Sequence, residues 1–338
     1  MFYLLLILSF FILSCQTSED VKIISITHSE IFNDEEEIGT PRDIMVNDSL
    51  VIVVDKYTPF IIYDRRTSEH LANKGEYGSG PLEFNRIEQL TSYKNKLYTY
   101  DIMKSMLYEV VFLIEDTVCY SIRPIWEEQL YNTTTVLPNC DNKFFCLGIY
   151  EDNQIKLMDD KGCVMESLFE YPYRDENEKK LSNLNRFLAY QGCAVNSPNG
   201  TNFIHACSSC NYITAFSMID SKLHKKEKIN SYPTYKIENK EDLHSTPFSA
   251  HSPMGYMDVS ATDEYIYLLY SGKSYAKHNN DVFCGNIVKI YNWDLEYICE
   301  LHLDLSTYNI CATEDNQLLY TVSLAPDYKV VKYEIPQL

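Results

Sequence analysis

Short apolar segments that alternate with polar residues recur along almost the whole chain. From residue 21 onward, period-2 runs rich in Val, Ile, Tyr and Phe are frequent, whereas long stretches with a 3.6-residue period are scarce. The 28 tyrosines fit this pattern, because tyrosine favours half-buried pleated surfaces. The pattern predicts an all-β protein.

One unit of this pattern repeats: an apolar run, a polar turn with Asn or Asp, and a second, more hydrophobic run. Six copies align: MVNDSLVIVVD, TSYKNKLYTYD, LPNCDNKFFCLG, VNSPNGTNFIHA, SATDEYIYLLY and CATEDNQLLYTV. Their turn residues follow one another at 47 to 64 residues: Asp48, Asn95, Asn142, Asn199, Asp263 and Asp315. A step of about 40 to 50 residues that carries four strands is typical of a propeller blade, and insertions explain the longer steps. The sequence therefore predicts a six-bladed β-propeller.

The first unit divides into four strands, named a to d from the centre outward: Pro41–Val46, Leu50–Asp55, Phe60–Asp64 and Glu69–Lys74. Strand c of the later units is predicted at MLYEVVF, QIKLMDD, YITAFSMID, GNIVKIYNW and YKVVKYEI. The sixth unit supplies only strands a, b and c, while VKIISIT, residues 21–27, has no partner of its own. We therefore expect residues 21–27 to pair as the outermost strand of blade six. This pairing would close the ring and remove the exposed edges of an open sheet array.

The start of the chain resembles an export signal. The apolar run MFYLLLILSFFILS is shorter than the roughly 20 residues of a membrane-spanning helix, and it fits a secretory signal. The residues from Ile12 to Cys15 resemble a bacterial lipobox, which implies cleavage before Cys15 and acylation of that cysteine. The sequence thus predicts a signal peptide (1–14), a lipidated cysteine with a short tether (15–20) and one propeller domain (21–338). An ordinary signal peptide, or a membrane-anchored start with an incidental cysteine, is the alternative.

These features predict an outer-membrane lipoprotein of the cell envelope that faces either the periplasm or the cell surface. The acidic residues 18–20 resemble the export tags of some surface lipoproteins of Bacteroidota. The formal net charge of −19 argues against nucleic acid as a partner, because that affinity depends on Lys and Arg neutralising phosphates. We expect contact with the membrane through the lipid at Cys15 and not through the acidic protein surface.

Ten cysteines follow Cys15, in a compartment where disulfides could persist. Their spacing is irregular and many lie in apolar strand-like runs, where cysteine behaves as a small buried hydrophobe. Cys207 and Cys210 have the C-x-x-C spacing of redox and zinc sites, but no second such pair exists and no helix follows to lower a thiol pKa. The sequence favours a structural role for this pair and leaves the disulfide state open.

The stretch GEYGSGPLEF, residues 75–84, holds three of the chain's eleven glycines. It follows strand d of blade one, where the chain must return from the rim to the centre. We expect Gly75, Gly78 and Gly80 to adopt positive φ there, and Phe84 to pack between blades one and two. A nucleotide-binding loop is excluded by the glycine spacing, the lack of a following helix and the lack of a lysine.

This stretch is similar to the G-x-G-x-G-P-x-E-F segment of the TolB-like six-bladed propeller lipoproteins common in Bacteroidota. Residues 254–272, MGYMDVSATDEYIYLLYSG, also look like the fifth-blade region of that family. The resemblance implies the fold and the envelope location. It implies no reaction and no catalytic residues.

Three segments exceed the minimal blade: 171–186, 231–253 and 271–285. Long loops on a rigid scaffold are where partners usually bind, although such loops are also tolerated as plain surface insertions. We therefore expect a lipid-anchored binding module for a protein, peptide or glycan. The alternative is an enzyme of the hydrolase, lyase or dehydrogenase type with its site in the central channel.

No catalytic, cofactor or metal motif is present in the sequence, which lacks H-E-x-x-H, H-x-H, a calcium loop and G-x-S-x-G. A propeller can still gather a site where its innermost strands begin, at one mouth of the channel. The candidates there are Arg42, Asp43, Arg86, Gln191, Tyr256, Asp258 and Tyr308. Arg42 and Arg86 would select anionic ligands if they faced the channel; the alternative is that they pair with carboxylates between blades.

Overall fold

The computed structural model describes residues 21–32, 37–126, 129–234 and 249–338, and the backbone of two short strands between residues 238 and 245. Two short strands come first: β1 (Ile23–Ile26) and β2 (Glu30–Ile31). The signal segment 1–14, Cys15 and the tether to residue 20 lie outside the described residues, as does the acidic run 33–36.

Four antiparallel four-stranded sheets follow and form blades one to four. Blade one consists of β3 (Pro41–Val46), β4 (Leu50–Asp55), β5 (Phe60–Asp64) and β6 (His70–Lys74). Blade two consists of β7 (Ile87–Tyr93), β8 (Lys96–Asp101), β9 (Met106–Ile114) and β10 (Val118–Pro124). Blade three consists of β11 (Thr133–Pro138), β12 (Phe144–Gly148), β13 (Ile155–Met158) and β14 (Val164–Leu168). After helices α1 (Glu176–Lys179) and α2 (Asn183–Tyr190), blade four consists of β15 (Gly192–Asn196), β16 (Asn202–Cys207), β17 (Tyr212–Ile219) and β18 (Lys222–Ile229).

Blades five and six form one eight-stranded sheet, because a single long strand belongs to both. A small hairpin, β19 (Glu238–Lys240) and β20 (Leu243–Ser245), precedes them. The remaining elements are β21 (Tyr256–Ala261), β22 (Tyr265–Tyr270), α3 (Tyr275–His278), a 3₁₀ helix (Asn279–Phe283), β23 (Gly285–Asn292), β24 (Tyr297–Ala312), β25 (Leu318–Leu324) and β26 (Tyr328–Glu334). The first part of β24 pairs with β23 in blade five, and its last part pairs with β25 in blade six.

Six hydrophobic cores lie between neighbouring blades, one for each pair around the ring. The core between blades one and two contains Phe60 and Leu90, and the core between blades six and one contains Val322 and Val53. Each sheet therefore buries both of its faces. Full burial of one such side chain contributes about 1.5–3 kcal/mol, so these cores supply the main stabilisation of the ring. The prediction of a six-bladed propeller is confirmed.

The start of the described chain closes the ring with blade six, as predicted, but a different strand makes the pairing. The fourth strand of blade six is β2, which pairs antiparallel with β26. Residues 21–27 were expected in that position; instead β1 pairs in parallel with the part of β24 from Glu300 to Leu303, at the outer edge of blade five. The side chains of Ile24 and Ile26 pack against the core between blades five and six. Strand β1 thus covers the outer edge of blade five, and only β2 reaches blade six.

In the glycine-rich stretch 75–84, the backbone turns around the carboxylate of Glu83. Of its three glycines, only Gly75 has the expected positive φ, at 78°. Gly78 and Gly80 lie against the side chain of Glu83, whose Oε2 accepts a 2.6 Å hydrogen bond from the Gly80 N–H, and a Cβ on Gly78 would lie 2.1 Å from that oxygen. A side chain at either position would displace the Glu83 carboxylate from this hydrogen bond. Phe84 is fully buried edge-on against Phe60, which confirms its place between blades one and two.

Within the described residues, no helix has both the length and the apolar character needed to cross a membrane.

Substitution of Phe32 tests how the ring closes between blades six and one. Its ring is fully buried and contacts the rings of Tyr63 in blade one and Tyr320 in blade six, edge-on. We expect Phe32→Ala to lower the free energy of unfolding by about 3–5 kcal/mol, because it opens a cavity where the ring closes. Urea unfolding measures the change. The control Ile31→Ala, at an exposed neighbour in β2, should cost less than about 1 kcal/mol. Equal effects of the two substitutions would contradict this account of closure.

Candidate functional site

The direction of the strands divides the connections between two faces of the ring. Because each blade is an antiparallel meander, its a–b and c–d turns lie on one face, which we call the turn face. The b–c and d–a connections lie on the other face. All three long segments, 171–186, 231–253 and 271–285, are b–c or d–a connections of blades three to five. They therefore share one face, which we call the insertion face.

The first two insertions contact each other beside blade four. Asp175 and Ser182 cap α1 and α2 by accepting hydrogen bonds from backbone N–H groups of the first turns. The C-terminal end of α2 then packs Ala189 and Tyr190 against Tyr232 of the second insertion. The backbone of α2 also lies beside β20.

Arg186 holds α2 in place. Its guanidinium is buried and donates to Glu170 Oε1 at 3.0 Å, to the Tyr171 carbonyl at 3.1 Å and to Asn183 Oδ1 at 2.6 Å. A buried guanidinium with several oxygen partners fixes a loop more firmly than exposed charges do. The first insertion is therefore an ordered element, although its sequence resembles a solvated charged link.

The second and third insertions are joined through their backbones. The Ala276 N–H donates to the Ala250 carbonyl at 2.8 Å, and the Met254 N–H donates to the Lys273 carbonyl at 2.9 Å. An isolated β-bridge joins Pro253 to Ser274. The third insertion presents Tyr275 and Phe283 as exposed aromatic side chains. The described parts of the three insertions are thus linked to one another over blades four and five.

A second part of the insertion face carries three exposed apolar side chains. Leu82, Met103 and Tyr131 are 64–67% exposed and belong to consecutive connections of blades one to three. We call them the apolar triad. Lys104 ties their loops together, because its Nζ donates to the carbonyls of Gly80 at 2.7 Å and Glu83 at 2.5 Å.

The third loop joins the same network. Gln129 Nε2 donates to the Lys104 carbonyl at 2.8 Å, and the Tyr131 hydroxyl donates to Gln129 Oε1 at 2.5 Å. The triad is therefore displayed on hydrogen-bonded loops, which reduces the entropy lost when a partner orders them.

Two of the predicted channel residues, Asp43 and Asp258, lie in the interior of the ring. Asp43 Oδ2 accepts from the Leu90 N–H of blade two at 2.7 Å, and Asp258 Oδ2 accepts from the Ile310 N–H of blade six at 2.8 Å. Each carboxylate thus joins its blade to the next. Desolvation raises the pKa of Asp258 to about 7. Desolvation and the nearby charge of Asp258 raise the pKa of Asp43 well above its usual range.

Other polar side chains extend this network. Asn309 Nδ2 donates to the Arg42 carbonyl at 2.9 Å and joins blade six to blade one. Gln89 Nε2 donates to the Ala194 carbonyl at 2.7 Å, and Asn196 Nδ2 donates to the Ser92 carbonyl at 3.0 Å. The last two bonds run between blades two and four, which are not neighbours. Side chains therefore cross the channel.

The two arginines share one carboxylate. Arg42 donates to the Ile87 carbonyl at 2.6 Å and lies 3.4 Å from Glu88, so it pairs across the boundary between blades one and two. The more exposed Arg86 pairs with Glu88 through its Nε. For Arg42 this is the pairing with a carboxylate between blades that the sequence left as the alternative to anion selection, whereas the Arg86 pair lies within blade two.

The last three predicted residues take different positions. Gln191 is exposed directly after α2, and its carbonyl accepts from the Ser208 N–H at 3.0 Å. Tyr256 is fully buried in the core between blades four and five and donates its hydroxyl to Asn211. It contributes to packing and not to a mouth of the channel. Tyr308 is half-buried, with its ring edge-on against Tyr328 at 5.0 Å.

The turn face holds a cavity of about 960 Å³. Five of the six repeat-marking turn residues line it: Asp48, Asn95, Asn199, Asp263 and Asp315. Glu314 also lines this cavity. Its pKa is raised by desolvation and by the nearby charges of Asp263 and Asp48. Across the described part of the chain, no three His, Cys, Asp or Glu side chains are placed to hold a metal ion.

A family model described as TolB-like 6-blade propeller-like matches residues 17–315. The chain belongs to this family. A search of curated proteins found no match. Among solved structures, the TolB-like propeller is similar to a putative exported protein of Bacteroides fragilis NCTC 9343. The TM-score is 0.57 at 11% identity, over 94% of this chain and 100% of that chain.

The WD40 repeats of RRP9 are also similar, with a TM-score of 0.50 at 8% identity over 91% of this chain and 97% of that one. At such identities the likeness shows the fold of the TolB-like propeller alone.

Sequence reasoning missed the residues that organise the insertion face of this TolB-like propeller. Lys104 and Gln129 join loops from different blades, and no local spacing signals such contacts. The caps of α2 were visible in principle, because Ser182 followed by Asn183–Asn185 is an N-cap pattern.

Asp258→Asn tests the electrostatics of the channel. Because the native pKa of Asp258 is about 7, the folded state binds a proton that the unfolded state releases between about pH 4 and 7. The free energy of unfolding therefore falls as pH rises through this range. Asparagine can still accept from Ile310 but carries no charge, so the variant should be more stable than wild type at pH 8, by on the order of 2 kcal/mol.

At pH 5 this difference should shrink, since Asp258 is then protonated in the folded protein. Urea unfolding across the pH range measures it, with Asp116→Asn in an exposed turn as the control. Identical pH slopes for wild type and Asp258→Asn would contradict the assignment.

Proposed function

We propose that this protein is a lipid-anchored binding module of the cell envelope that holds a protein, peptide or glycan partner against its insertion face. The observation that carries the proposal is the convergence of all three insertions on one face, where backbone hydrogen bonds and packing join them into a layer. Rigid scaffolds commonly display binding residues on such loops. The TolB-like fold and the exported relative support the location.

The chemistry of the insertion face favours a protein or peptide over a glycan. Leu82 and Met103 offer aliphatic and thioether surface, which packs against the apolar side chains of a protein partner. Tyr131, Tyr275 and Phe283 add aromatic contact area, and aromatic residues are enriched at protein interfaces. Exposed apolar side chains held on ordered loops are typical of an interaction site.

An enzyme with its site in the channel is the second candidate, and the raised pKa of Asp258 is the observation in its favour. However, Asp43 and Asp258 both accept backbone N–H groups of the next blade. Side chains from blades two and four also cross the channel. These contacts give the carboxylates a structural role, so we favour the binding module.

The apolar triad gives the direct test of partner binding. Cells that display the full chain are treated with a crosslinker, and the partner is recovered with wild type and with the Leu82→Ser, Met103→Ser, Tyr131→Ser variant. We expect recovery to fall at least about tenfold, which corresponds to about 1.4 kcal/mol of lost binding free energy.

The matched control is Leu113→Ser with Ile114→Ser, at the end of β9 towards the turn face, where the side chains are 55% and 50% exposed. This control should recover the partner as wild type does. Equal losses in both variants, or no loss in either, would argue against binding at the insertion face.

Cys15→Ser tests the anchor. We expect wild type to incorporate a labelled fatty acid and to fractionate with membranes, because an acylated cysteine with several chains gives stable anchoring. The variant should lose both properties, whereas Cys119→Ser, at an exposed cysteine of blade two, should keep them. Acylation that persists in Cys15→Ser would refute the lipobox interpretation.

A further inference from the structure

Cys207 and Cys210 lie in the b–c connection of blade four, beneath the joined insertions. Both thiols are free and buried in one cluster with Ala189 and Tyr190 of α2 and with Tyr212; Tyr232 of the second insertion packs against it. The chain entering blade five closes over the same turn. The Gly255 N–H donates to the Ser208 carbonyl at 2.8 Å, and a Cβ on Gly255 would lie 2.0 Å from the Cys210 carbonyl oxygen.

The two cysteines are brought together by their own turn. The carbonyl oxygens of Cys207 and Cys210 both face Gly255, where an added Cβ would lie 2.4 Å from the first and 2.0 Å from the second. Cys207 Sγ also lies 3.2 Å from the Ser209 hydroxyl, which donates to the Ala189 carbonyl at 2.7 Å. Two cysteines that lie three residues apart in a turn and are buried in one cluster need little backbone movement to bond.

Neighbouring groups activate one thiol. Burial raises the pKa of Cys207, but the Cys210 thiol and the backbone N–H groups of Ser209 and Cys210 outweigh this effect and lower the pKa. The Cys210 pKa is raised, because its proton is held against Cys207 and because it is buried. A stabilised thiolate next to a protonated thiol is the arrangement of an attacking and a resolving cysteine.

We propose that Cys207 and Cys210 form an intrachain disulfide when the chain folds in an oxidising compartment. The proposal rests on the extracytoplasmic location put forward above. The oxidant is a small-molecule or protein disulfide, which the Cys207 thiolate attacks to give a mixed disulfide and one released thiol. Cys210 then loses its proton and attacks the Cys207 sulfur, expelling the second thiol. The chain loses two electrons, and the oxidant is reduced to two thiols.

This bond would stabilise the b–c turn of blade four, against which α2 and Tyr232 pack. Because both sulfurs are covered by α2, Tyr232 and Gly255, the bond forms before this packing is complete, and reductants reach it afterwards only when the turn opens. Cys193, the preceding cysteine, instead lies 3.8 Å from the Ala206 carbonyl.

Differential thiol labelling tests the proposal. The full chain, purified in detergent, is unfolded with reductant and refolded in a mixture of reduced and oxidised glutathione. Free thiols are then alkylated with iodoacetamide in denaturant, and the remaining cysteines are reduced and labelled with N-ethylmaleimide. The tryptic peptide 187–222, which contains Cys193, Cys207 and Cys210, is sequenced by mass spectrometry.

We expect the second label on Cys207 and Cys210 and the first label on Cys193. The oxidised protein should also unfold at a higher urea concentration than the reduced protein. Cys193→Ser should leave the pair oxidised, and Cys210→Ser should leave Cys207 as the mixed disulfide with glutathione, which the mass of the unreduced peptide identifies. The first label on both cysteines of wild type, or a bond from either to another cysteine, overturns the proposal. This result is independent of partner capture and acylation, so it separates from a failure of the proposed function.

Discussion

Each blade is stable only because the ring closes. A single twisted sheet of four strands has two apolar faces and cannot bury both alone, whereas six sheets in a circle bury every face against a neighbour. The core between blades six and one is completed by Phe32, which follows β2 at the start of the described chain. The two ends of the propeller therefore share one core, and stability at any blade depends on contacts distant in sequence.

Closure also explains the polar interior. Where six strands converge, backbone groups of different blades come close but do not form one continuous sheet, so side chains must satisfy them. Asp43, Asp258 and Asn309 do this between neighbouring blades, and Gln89 does it across the channel. The raised pKa of Asp258 follows from its position in the ring. In this propeller, a perturbed carboxylate is therefore weak support for catalysis.

The sequence predicts the blades well and the contacts between them poorly. The bounds of β3, β4 and β5 agree with the prediction, because short apolar runs bounded by polar turn residues are a local property of the sequence. The predicted strand pairing of residues 21–27 was wrong. Both β1 and β2 are short, and the partner of a short strand depends on which sheet edge the folded chain reaches. Tyr256 shows the same limit: its place at the start of an inner strand does not say whether its side chain faces the channel or the core.

The candidate site follows from topology more than from any motif. A meander fixes which connections share a face, so the three long segments could be assigned to one face once the strands were placed. The contacts that make the face a defined surface, such as Lys104 to Gly80 and Ala276 to Ala250, join loops that are separate in sequence. The glycine-rich stretch belongs to this construction: Gly78 and Gly80 leave room for Glu83, and that turn supplies the carbonyls that hold Lys104. A feature that looks like a ligand-binding loop in the sequence thus serves to present the apolar triad.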